Sequence, residues 1–148
     1  MSVADQGIIT DPEASASDFL RQYSNKLTAY HGTSRSAAEK INKAGFWNRS
    51  DVQLYGPGVY ATLDREKANR YASMKGGTQS QVLELNINPQ DLVDLGNFPK
   101  GESTKINSLY DQARELRKAG KSVLIKNTKE GDMLILDPEL ATRSLKLK

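Results

Sequence analysis

The chain has 148 residues, 37% hydrophobic and 26% charged, with a net charge of +3 and a pI near 9.1. That length suits one domain able to bury about two thirds of its unfolded surface, and no apolar run approaches the roughly twenty residues that a membrane span requires. The absence of cysteine excludes disulfides and thiolate chemistry, and the single histidine, His31, excludes multi-histidine and Cys/His centres, so no metal is expected. No Lys/Arg-led apolar segment opens the chain, so no secretory signal peptide is read. Action in a cytoplasm is expected, that of a target cell if a secretion system delivers the protein. The first 26 residues hold Asp5, Asp11, Glu13 and Asp18 against Arg21 and Lys26, which leaves the body more basic than the whole chain. A basic body attracts pyrophosphates, RNA and acidic protein surfaces.

Residues 1–26 read as a mobile lead-in with a short helix over 14–23, ahead of a domain over 27–148. A short strand is expected over 27–30. Ser36 and Glu39 have capping-box spacing, Ala38 and Ile41 supply a helical stripe, and Gly45 stands where a C-terminal cap is wanted. A polar loop over 46–56 leads to a strand over 58–62. Asp64 is placed to cap a helix on which Ala68, Tyr71 and Ala72 share one face, and Gly76-Gly77 ends it. Leu83, Leu85 and Ile87 alternate with Glu84, Asn86 and Asn88 as in a half-buried strand, and residues 92–95 form another. Ile106, Leu109, Tyr110, Ala113 and Leu116 recur at helical spacing and predict a helix over 104–119 that stops at Gly120. Strands over 123–126 and 133–136, joined by a polar turn over 127–131, close an α+β domain.

Three motifs stand out against this background. Tyr30-His31-Gly32-Thr33-Ser34 is followed by Tyr55-Gly56-Pro57-Gly58-Val59-Tyr60-Ala61-Thr62, and then by Ala68-Asn69-Arg70-Tyr71-Ala72. Their order and spacing resemble the NAD-binding core of the ADP-ribosyltransferases, in particular the diphtheria-toxin and poly(ADP-ribose) polymerase branch, over roughly residues 28–140. The resemblance implies a compact split-sheet core with short flanking helices and NAD as co-substrate. It also implies a macromolecular acceptor, protein or RNA, outside any membrane. A catalytic core standing almost alone resembles a bacterial or phage toxin or effector domain, which a neutralising immunity protein would accompany.

The same resemblance implies roles for single residues. Tyr60 and Tyr71 would sandwich the nicotinamide ring, Gly32 would admit its carboxamide to the backbone, and His31 would hold a ribose hydroxyl. Thr33, Gly58 and Ala61 would line the dinucleotide, and Tyr55, with Trp47, would cover it. Ala68 stands where the polymerases carry a serine, so one ligand hydrogen bond is missing. The family's late-strand glutamate is replaced by Asp132, with Glu130 two residues earlier and on the same side if the backbone is extended. Glu139 is a distant third carboxylate. Catalysis is therefore assigned to His31, Tyr60, Asp132 and Glu130, with mono-ADP-ribosyl transfer as the reaction. A catalytically silent module binding NAD or ADP-ribose stays open as the alternative, because aspartate and Ala68 both depart from the family pattern.

Overall fold

The computed structural model describes residues 26–47 and 54–146. The expected helix over 14–23 lies outside the described residues. Six strands form one sheet: β1 (Leu27–Ser34), β2 (Val59–Thr62), β3 (Ser80–Ile87), β4 (Leu92–Asn97), β5 (Ser122–Thr128) and β6 (Gly131–Leu136). Among the described residues four α-helices accompany them: α1 (Arg35–Ala44), α2 (Arg65–Gly76), α3 (Ser103–Lys118) and α4 (Pro138–Ser144). The protein is α+β.

The sheet order is β3-β1-β2-β6-β5-β4, and its weak point decides where a ligand can enter. β1 pairs with β3 along its whole length, from Leu27↔Ile87 to Ser34↔Ser80. Toward β2 it has one aligned pair, Tyr30↔Thr62. Beyond that pair the two strands diverge, so a two-stranded half and a four-stranded half meet at a hinge. In the larger half β2 pairs β6 and β6 pairs β5, both antiparallel, while β4 runs parallel to β5. The sheet is split, as expected.

Side-chain alternation sends Ala29, Leu85, Ala61, Leu134 and Leu136 to one face, where Leu140 and Ala141 of α4 cover them. On the same face α1 sets Ala38 and Ile41 against Leu83. The opposite face presents Val123, Ile125 and Ile135 to Leu109 and Ala113 of α3, with Tyr55 buried among them. α2 lies against β1 and β3. It buries only Ala68 and Ala72, and it comes close because Gly32 beneath it has no side chain: a Cβ there would sit 2.3 Å from the Ala68 carbonyl oxygen.

Several boundaries differ from the sequence expectation. β1 runs on through Gly32 and Thr33 to Ser34, so His31 lies inside a strand rather than at its end. Ser34, not Ser36, caps α1, its hydroxyl accepting from the Ala37 amide at 3.2 Å. Gly45 and Gly77 do terminate α1 and α2, each with positive φ, and Asp64 does cap α2, accepting from the Glu66 and Lys67 amides. The turn between β5 and β6 is shorter than 127–131: Thr128 pairs with Gly131, leaving Lys129 and Glu130 as a two-residue loop. α4 was not expected, although Asp137 as its cap and Pro138 in its first turn are ordinary start signals.

Candidate functional site

A cleft opens where β1 and β2 part. Two adjoining spaces share Tyr60 and Tyr71 as common walls. His31, Thr33, Ile41, Phe46, Trp47, Gly58 and Lys75 line the first, and Gly32, Ala61, Thr62, Lys67, Ala68, Glu130 and Met133 the second. By alternation His31 and Thr33 belong to the α1 face of the sheet, whereas Tyr60 and Gly32 belong to the α2 and α3 face. The cleft therefore passes through the sheet at the split. Together, through their shared tyrosine walls, they form a two-part site.

His31 spans the split. Its Nδ1–H donates to the Tyr60 carbonyl oxygen at 2.7 Å, across the gap where the β1–β2 ladder has stopped. A carbonyl only accepts, so this contact places a proton on Nδ1. Phe46 meets the imidazole edge-on with ring centroids 5.2 Å apart.

Tyr60 is held on all sides. Its hydroxyl donates to the Gly56 carbonyl at 2.6 Å, and its ring tilts against Tyr55, which in turn meets Tyr110 edge-on. Burial pushes the Tyr60 phenol well above its ordinary range, so the side chain stays neutral. Burial likewise pushes Tyr55 up to about 12. Tyr55 is 8% exposed and lines neither space, so it backs Tyr60 rather than covering a ligand. Tyr71 is the contrast. It is 43% exposed, and the Lys75 ammonium lies 4.7 Å from its ring centroid.

The two carboxylates part company. Asp132 begins β6 on the Leu134 side, and its Oδ1 accepts from the Asn127 amide at 2.9 Å, capping the hairpin at a residue with φ of 58°. It lines neither space. Glu130 occupies the turn and lines the second space. The expected same-side placement fails because Glu130 is not extended, so the two-residue alternation of a strand does not relate the pair. Thr62 donates to the Glu130 carbonyl at 2.9 Å, Thr128 accepts from its amide at 3.1 Å, and Lys67 Nζ donates to the Lys129 carbonyl at 2.8 Å. The turn is thus tied to β2 and α2. Glu139 sits on α4, away from both spaces.

Of the residues assigned from sequence, His31, Gly32, Thr33, Gly58, Tyr60, Ala61, Tyr71 and Glu130 gather at the cleft. Gly32 has a further duty, close packing under α2, and Ala68 is buried against it, which explains why a small side chain stands there. Thr62, Lys67, Phe46 and Lys75 also line the site and were not anticipated. Among the described residues no group of His, Asp or Glu is arranged to hold a metal, and no helix is long and apolar enough to cross a membrane. Compared with known protein families the chain matches none, and no curated protein matches it either.

Proposed function

We propose that the protein is an NAD-consuming mono-ADP-ribosyltransferase. The observation that carries this reading is one cleft through the sheet split whose two lobes share Tyr60 and Tyr71, with His31 on one side and Glu130 on the other. The nicotinamide of NAD is flat and cationic until the glycosidic bond breaks, and aromatic faces favour such a ring. It would lie between Tyr60 and Tyr71, with His31 beside a ribose hydroxyl. As the N1–C1′ bond breaks, its electron pair leaves with nicotinamide and the ribose carbon takes on oxocarbenium character. Glu130 is the carboxylate available to stabilise that charge. The acceptor nucleophile then bonds to C1′ and gives up its proton, to Glu130 or to solvent. The acceptor is a protein or an RNA.

Incubation with adenine-labelled NAD and a cell lysate, with chromatography of free nicotinamide and separate protease and ribonuclease digestion, tests the reading. Wild type is expected to release nicotinamide and to leave label on one class of macromolecule. Glu130→Gln is expected to lose about a hundredfold or more of the release, the scale of electrostatic stabilisation, while Asp132→Asn retains it. NAD bound without nicotinamide release would establish the silent binding module instead, and no binding at all would end the NAD reading.

A further inference from the structure

A buried arginine lies directly behind the Tyr60 wall. Arg117, in the last turn of α3, has a side chain 1% exposed. Its Nε donates to the Pro57 carbonyl at 2.8 Å and its Nη1 to the Lys121 carbonyl at 3.0 Å, while Nη2 stands 3.7 Å from Asp137 Oδ1. An arginine so enclosed persists only where its donors and charge are met, and here two of its contacts are to main-chain oxygens. One turn earlier on the helix, Arg114 Nη1 donates to the Leu54 carbonyl at 2.7 Å. With the Tyr60 hydroxyl on Gly56, three carbonyls of the 54–57 turn are each taken by a side chain. The glycines of this turn fit the same device. A Cβ at Gly58 would meet Arg117 Nε at 2.8 Å, and one at Gly56 would meet the Arg114 Cα at 3.1 Å.

We propose that Arg117 is a positioning residue for the dinucleotide reaction: gripping the Pro57 carbonyl from beneath, it fixes the turn that sets the Tyr60 ring and the Gly58–Val59 edge of the cleft. The inference rests on the NAD reading for its consequence but not for its geometry. Arg117 touches no ligand-facing space, so its influence passes through the backbone of the turn. Gly58 leaves room for both the guanidinium and the Leu136 carbonyl, each of which a Cβ would meet at 2.8 Å. Methionine at 117 would fill the volume and leave the carbonyl without its donor. Lysine would offer one donor where the planar fork offers several.

The test uses tyrosine carrying ¹³C-labelled rings, together with calorimetry of NAD binding, on wild type, Arg117→Met and Arg117→Lys, each at a temperature where urea titration shows it fully folded. In Arg117→Met the Tyr60 ring resonances are expected to shift while those of Tyr30, on β1 with Arg65 over its ring, stay. The NAD dissociation constant is expected to rise about tenfold, a modest share of what a 1 Å misplacement costs. Arg117→Lys is expected to recover part of both changes, and if Arg117→Met does not fold, Arg117→Lys against wild type carries the comparison. Coincident Tyr60 resonances in variant and wild type, or unchanged NAD affinity in a folded variant, would overturn the proposal. Should wild type bind no NAD, the functional reading falls and the Tyr60 resonances alone decide the positioning role.

Discussion

The two tyrosine walls of the cleft are built by opposite means. Tyr60 stands on β2 above a core of Ile135, Val123, Ile125 and Leu109, with its hydroxyl and the turn before it both tied down. Tyr71 stands on α2, whose only buried residues are Ala68 and Ala72. One wall is held by large apolar burial, the other by close backbone approach over Gly32. Burial is continuous and spreads a perturbation through the core. Close approach is set by a few tenths of an ångström at one residue. Loss of the core beneath Tyr60 should therefore be felt as lost stability of the whole domain, whereas the Tyr71 wall should move by itself.

The largest effect expected from this contrast is on stability. Ile135, 0% exposed and opposite Tyr60 in the ladder, is a core residue of the Tyr60 wall, so Ile135→Ala should cost about 4 kcal/mol in urea unfolding. Circular dichroism and tyrosine fluorescence should report a single transition. A variant that kept its stability but lost NAD binding would show that the two walls are not built differently. Gly32→Ala should come next, at about 2 to 3 kcal/mol, because the added methyl confronts the Ala68 carbonyl and the Ala72 amide rather than a pliable side chain. Here α2 yields while the four-stranded half persists. Hydrogen exchange should therefore rise across residues 65–76 and stay unchanged over β5 and β6.

Alkaline pH probes the Tyr60 wall without mutation. Tyr55 titrates at about 12 when folded and near 10 when unfolded, so between those values the native state binds more protons than the unfolded one. Stability should be complete below pH 10 and fall by about 2 to 3 kcal/mol as pH rises toward 12, with Tyr60, also raised, adding to the slope. Tyr55→Phe should flatten part of that fall. An equally steep decline in Tyr55→Phe would assign it to groups outside this wall.

How far this contrast could be read in the sequence depended on where the physics was local. Asp64, Gly45 and Gly77 act on their own helix ends, and each was legible as a cap or a stop. The alternation of Leu83, Leu85 and Ile87 likewise placed β3. The extent of β1 was not local: Gly32 and Ser34, on either side of Thr33, are poor or neutral strand formers held extended by Val82 and Ser80 across the ladder. Arg117 was hidden because a charged residue in the last turn of a helix ordinarily reads as solvated. Its signal was the four-residue step from Ala113 on the buried stripe. The carboxylate pair turned on Thr128. With Thr128 in β5 and paired to Gly131, Glu130 falls in the two-residue loop, outside the strand alternation that would have aligned it with Asp132.

The smallest stability effect expected is at Tyr71, and it is the sharpest discriminator between the walls. Its ring is nearly half exposed, and its nearest charge, Lys75, is one helical turn away on the same surface. Removing the ring should cost the fold no more than about 0.5 kcal/mol, the usual size for a surface substitution away from caps and core. A ring wall facing a cationic ligand contributes about 0.5 to 2 kcal/mol of binding, so Tyr71→Ala should weaken NAD affinity about two- to thirtyfold with urea unfolding unchanged. Tyr60→Ala should lose both together, since the same ring that faces the cleft also anchors the 54–57 turn through its hydroxyl. The ratio of affinity loss to stability loss is the quantity to compare: large for Tyr71, near one for Tyr60. Equal ratios, obtained by calorimetry and urea titration on both variants, would mean that α2 is braced as firmly as β2 and that close approach over Gly32 is not what holds it.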